Sequence, residues 1–115
     1  MDHSSKSLEE KLEILRNNYA RELPGKMEEL EKCYALLQED RGNREALKSL
    51  HQLTHTLVGS GATLGFPLVS EKARHLSSFL TSLLYTSSLP TEEGLQQISL
   101  GLKDLKQSIT GEKSQ

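Results

Sequence analysis

At 115 residues the chain is long enough for one hydrophobic core and too short for two. A net charge of −2 supplies no basic excess to hold a phosphate backbone, which argues against a nucleic-acid partner. The single cysteine, Cys33, excludes an intrachain disulfide and a cysteine-rich zinc site, and no apolar run approaches the ~18–20 residues of a membrane span.

Five helical segments are predicted in chain order. Residues 1–6 are polar, have no apolar secretion-signal core, and are expected to be disordered; a cytoplasmic protein or module follows. Ser7 is placed to cap a short first helix with Leu8, Leu12 and Leu15 at helical spacing. Pro24-Gly25 interrupts that pattern. Pro24 suits the first turn of a second helix, which carries Met27, Leu30, Tyr34 and Leu37 to about Asp40. Cys33 falls in this run and reads as a small, half-buried thiol. Arg41-Gly42-Asn43 stops one helix and caps the next, which presents Leu47, Leu50, Thr54, Leu57 and Leu64. Gly65-Phe66-Pro67 ends it. A fourth helix carries Val69, Ala73, Leu76, Leu80 and Leu83, and after Ser87–Pro90 a last one, opened by Thr91, carries Leu95, Ile98, Leu102, Leu105 and Ile109. No segment alternates as a strand would. Short connections make successive helices antiparallel neighbours. The expected fold is all-α: an antiparallel up-down four-helix bundle with a short extra N-terminal helix, spanning 7–110, followed by a frayed tail at 111–115. A bundle of this size is expected to be monomeric.

The segment from Leu50 to Gly65 breaks local rules. Gly59 and Gly61 lie inside a strong helical pattern, each costing about 1 kcal/mol relative to alanine. At about 100° per residue, Leu50, Thr54, Leu57, Gly61 and Leu64 gather into one buried stripe, so Gly61 reads as a point of close helix approach. His55 lies about 140° from Leu50, on the outer side, with Gly59 a further 40° on. Lys48, His51, Val58 and Ala62 flank it. An outward histidine is thus followed, one turn later, by a residue with no side chain, which leaves room for a partner's active site. Neutral imidazole is a good nucleophile near pH 7, and its phosphoramidate retains high transfer potential.

The run His55-Thr-Leu-Val-Gly59-Ser-Gly-Ala-Thr-Leu-Gly65 resembles the motif of histidine-containing phosphotransfer (HPt) domains, in which His, Leu, Gly, Ser, Leu and Gly recur at this spacing. The helix layout is similar from about Leu12 to Leu105. The resemblance implies that His55 is a phosphoacceptor and that Gly59 admits the aspartyl phosphate and Mg²⁺ of a receiver domain. The implied partners are a response-regulator receiver domain and a hybrid histidine kinase. The implied chemistry is phosphoryl carriage without kinase or ATPase activity. The metal belongs to the receiver, so no cofactor or metal is implied here. Two positions depart from the family pattern. Val58 stands where a lysine is usual, and Ser77 stands where the following helix often offers a glutamine to the site. Lys48, Lys72 and Arg74 are the cations that could stand in.

Two other readings fit the residues. One is an HPt-like docking or scaffold module that binds a receiver domain without phosphotransfer. The other uses the i, i+4 pair His51 and His55 as metal ligands, for which only His75 offers a third. His51 otherwise reads as a solvated or helix-packing residue, and Ser60 as a group bonding a local backbone carbonyl. Paired carboxylates, a glycine-rich phosphate loop and a nucleophile elbow are all lacking.

Overall fold

The computed structural model describes residues 3–113 except Ser87. Among them are four helices: α1 (His3–Glu39), α2 (Arg44–Thr63), α3 (Pro67–Leu84) and α4 (Glu92–Lys113). Helix α1 packs on α2 and α4, and α3 packs on the same two, while the diagonal pairs do not meet. The expected all-α, four-helix bundle is the one found.

The separate N-terminal helix is not found. Helix α1 runs unbroken for 37 residues through Pro24. The reason lies in the phase of its apolar residues. Tyr19, Leu23, Met27, Leu30 and Leu37 are all buried at 4% exposure or less, and the stripe crosses Pro24 without a shift. A break there would take Leu23 or Met27 off the core, at about 1.5–3 kcal/mol each, which matches the ~3 kcal/mol that an interior proline costs. Pro24 itself faces solvent. The start of α1 at His3 likewise replaces the disorder expected over residues 1–6, of which Met1 and Asp2 lie outside the described residues. Leu8, Ile14 and Leu15 are exposed on this N-terminal stretch of α1.

The remaining helix ends follow local chemistry. Asn43 Oδ1 accepts from Ala46 N (3.0 Å) and Thr91 Oγ1 accepts from Gly94 N (3.0 Å), each a side-chain cap of orphan backbone donors. Gly65, at φ +86°, takes the left-handed conformation that closes α2, with Phe66 N donating to Gly61 O at 2.7 Å. Pro67 opens α3. The first turn of α3 has no cap from its own sequence; Val69 N instead donates to Glu112 Oε1 of α4 (2.5 Å). This bond explains why α4 stays helical to Lys113 where a frayed tail was expected from 111; Ser114 and Gln115 lie outside the described residues. Arg44 donates to Leu84 O and Thr86 O, so the start of α2 caps the end of α3.

Candidate functional site

Helix α2 buries Ala46, Leu47, Leu50, Thr54, Leu57 and Gly61, the stripe expected from its periodicity except for Leu64, which is the half-buried C-cap. Thr54 has no exposed surface and returns its hydroxyl to Leu50 O at 2.6 Å, which makes a polar group tolerable there. Gly61 lies under the first turn of α3. A Cβ on it would stand 3.2 Å from Phe66 O and from Ser70 N, so the glycine sets how closely α3 begins against α2.

The opposite face carries His55, exposed, with Lys48, Ala62 and Gly59 also exposed. A Cβ on Gly59 would meet nothing within 4 Å. Ser60 hydrogen-bonds Thr56 O (3.0 Å), as expected, and its oxygen accepts from Tyr19 OH (2.6 Å), which ties α1 to the glycine-weakened turn. Tyr19 also packs its ring on Phe66, 5.4 Å away. Burial raises the Tyr19 phenol above its ordinary value, the Ser60 bond lowers it, and the nearby Glu22 carboxylate raises it.

Val58 is half-buried and packs against the core, while its carbonyl accepts from Ser70 Oγ of α3 (2.6 Å). His51 is half-buried too. Its Nε2 lies 2.9 Å from Thr81 Oγ1 of α3, and its ring stacks on that of His55 with centroids 6.0 Å apart and planes within 16°. Ser77, expected on the docking face, is 7% exposed and offers almost no surface to a partner. Its carbonyl accepts from Thr81 Oγ1, and Thr81, one turn further on, is the α3 side chain that reaches the histidine pair. Thr81 escaped the sequence reading. Its signal is the spacing Ser70, Arg74, Ser77, Thr81, a polar line at helical period along α3.

No group of three His, Cys, Asp or Glu side chains suited to a metal ion is assembled among the described residues. His75 is exposed on α3. A groove of about 540 Å³ lies between α1 and α4, lined by Pro24, Met27, Glu31, Lys106 and Ile109, whereas His55 stands on α2 beside α3. No helix among the described residues is long and apolar enough to cross a membrane. Cys33 is half-buried, and burial, with the Glu29 carboxylate, raises its thiol above the usual value.

The arrangement is therefore an exposed imidazole on a convex helix face, backed by a second imidazole and bordered by a turn without a side chain. Such a nucleophile is open to an active site brought by another protein. Neither curated proteins nor solved structures gave a match to the chain. The Hpt domain family model matches residues 5–108, nearly the whole chain and the whole of α2 and α3. The chain thus belongs to the Hpt domain family, phosphocarrier modules that work with receiver domains and kinases in histidine phosphorelays.

Proposed function

We propose that His55 is the phosphoacceptor and that the chain carries a phosphoryl group between a receiver-domain aspartate or a hybrid histidine kinase and the next acceptor. The observation that carries this reading is the pairing of an exposed His55 with Gly59, beyond which space is open to a partner. In the forward step an imidazole nitrogen of neutral His55 forms a bond to phosphorus as the aspartyl O–P bond breaks. The donor recovers its carboxylate, and the ring proton leaves to solvent. The chain's own contribution is to present the ring and keep the approach clear; Mg²⁺ comes with the receiver. Lys48, His51, Val58, Gly59 and Ala62 form the docking surface around His55.

Val58 favours a second reading. With apolar Val58 one turn after His55, α2 offers no cation within a turn of the imidazole, as a receiver-binding module without phosphotransfer would. Incubation with a receiver domain charged by acetyl phosphate separates the two. Phosphoryl carriage requires an acid-labile label on the wild type and none on His55→Gln. Docking alone requires equal receiver binding by both proteins and label on neither.

A further inference from the structure

A phosphoryl group on His55, the reading proposed above and the one on which this inference rests, carries a charge of about −1.5 to −2 at pH 7. Val58, one turn on, brings no charge to meet it. Lys48 precedes His55 by two turns, about 10 Å along the helix axis, with His51 between them. Helix α1, with Glu29 and Lys32, meets α2 on the flank away from α3, along Ser49, Thr56 and Ser60. The remaining neighbour of the imidazole is α3.

Two side-chain bonds fix how α3 lies against α2. Ser70 Oγ donates to Val58 O at 2.6 Å, and Thr81 Oγ1 lies 2.9 Å from His51 Nε2. The two helices therefore run antiparallel, and residues of α3 between Ser70 and Thr81 stand across from the stretch between Val58 and His51. Arg74, one turn after Ser70, is thereby set opposite the stretch from Thr54 to Val58, which contains His55. Its place around α3 agrees. Ser70, Arg74, Ser77 and Thr81 fall within about 60° of one another. Ser77 is the buried edge of that line, and Arg74 is exposed. Lys72 lies about 160° round α3 from Arg74, away from the seam.

The Arg74 side chain is unengaged. It makes neither a hydrogen bond nor an ion pair among the described residues, and Glu71, the carboxylate of α3, is not paired with it. Packed helices lie about 8–10 Å apart between axes, a gap that a long arginine stem crosses. A guanidinium grips phosphoryl oxygens through two parallel N–H···O bonds and is charged at every physiological pH. We infer that Arg74 reaches across the α2–α3 seam to the phosphoryl oxygens on His55 and meets the charge that Val58 leaves unmet.

The test charges the protein with phosphoramidate, a donor that needs no receiver. Its P–N bond breaks as the N–P bond to His55 forms, and ammonia leaves with the ring proton as ammonium. The phosphohistidine resonance is followed by ³¹P NMR from about pH 5 to about pH 9, across the second ionisation of the phosphoryl group. A cation beside the oxygens favours the dianion and lowers the midpoint. His51 and Lys48 are common to every variant, so differences between midpoints read the substituted position. Arg74→Gln should raise the midpoint by about half a unit or more, and Arg74→Glu should raise it further. Arg74→Lys, which keeps the charge, should return it to the wild-type value. Lys72→Gln, which removes an equal charge from the far side of α3, should leave it unmoved. A midpoint in Arg74→Gln equal to that of wild type, or one moved as far by Lys72→Gln, overturns the inference and leaves the phosphoacceptor reading intact. Failure of the wild type to take the phosphoryl group, with His55→Gln behaving the same, sinks both.

Discussion

Gly59 and Gly61 stand two residues apart on α2 and meet opposite surroundings. Gly59 opens on space, so Gly59→Ala should stabilise the protein by about 0.5–1 kcal/mol in a denaturant titration, the ordinary gain from removing a helical glycine. A longer neutral side chain, Gly59→Gln, should leave labelling by phosphoramidate unchanged and cut receiver-dependent labelling about tenfold or more, because it fills the approach and not the nucleophile. Equal losses with both donors would show that Gly59 shapes His55 itself. Gly61→Ala should destabilise by about 1 kcal/mol despite the better helix propensity. The atoms its Cβ would meet, Phe66 O and Ser70 N, are hydrogen-bonded to each other at 3.0 Å, so neither yields easily. Which way each glycine faces, Gly59 outward and Gly61 against α3, was legible in the sequence because it follows from the phase of one helix. The seating of Ser77 and the bond from His51 to Thr81 were not. They depend on how α3 is rotated against α2, which the period of α3 alone does not determine.

Helix α1 shows how packing overrides a local signal. Pro24-Gly25 reads as a boundary, and by propensity it is one. The structure keeps the helix because the stripe from Tyr19 to Leu37 needs one continuous register to reach the core. The proline is then a cost carried on the solvent side. Pro24→Ala should restore the donor toward the carbonyl of Ala20 and stabilise the fold by about 1–3 kcal/mol, seen as a raised denaturation midpoint with unchanged helical circular dichroism. A lowered midpoint would mean that α1 relies on a bend at this site. The capped starts of α2 and α4, by contrast, were readable, since Asn43 and Thr91 act on backbone donors three residues away.

At the scale of the whole molecule, the bundle is joined by polar ties that no local pattern announces. Glu112 of α4 caps α3, Arg44 of α2 caps the end of α3, and Tyr19 of α1 bonds Ser60 of α2. The exposed Lys106–Glu31 pair at 3.4 Å adds little, because both groups are well solvated. The Tyr19 tie has a pH signature. Burial is the largest influence on its phenol and raises it, so the folded state favours the neutral form. The resulting stability is fully present below the unfolded phenol value of 10.0 and is lost as pH rises through the higher folded value. Thermal unfolding should therefore show a decline in stability above about pH 10 that is shallower in Tyr19→Phe, which itself costs about 1 kcal/mol at neutral pH through the lost hydrogen bond. An alkaline decline of equal steepness in the two proteins would assign it to other groups.

These ties hold α2 and α3 in the register that leaves His55 outside and His51 behind it. The claim that this register serves phosphoryl carriage is tested most directly by locating the label. The protein is phosphorylated by a charged receiver domain, digested at alkaline pH to preserve phosphohistidine, and mapped by tandem mass spectrometry. The account predicts one phosphoryl group, on His55, absent from His55→Gln with the fold intact. A group found on His51 or His75, or label retained in His55→Gln, would contradict it.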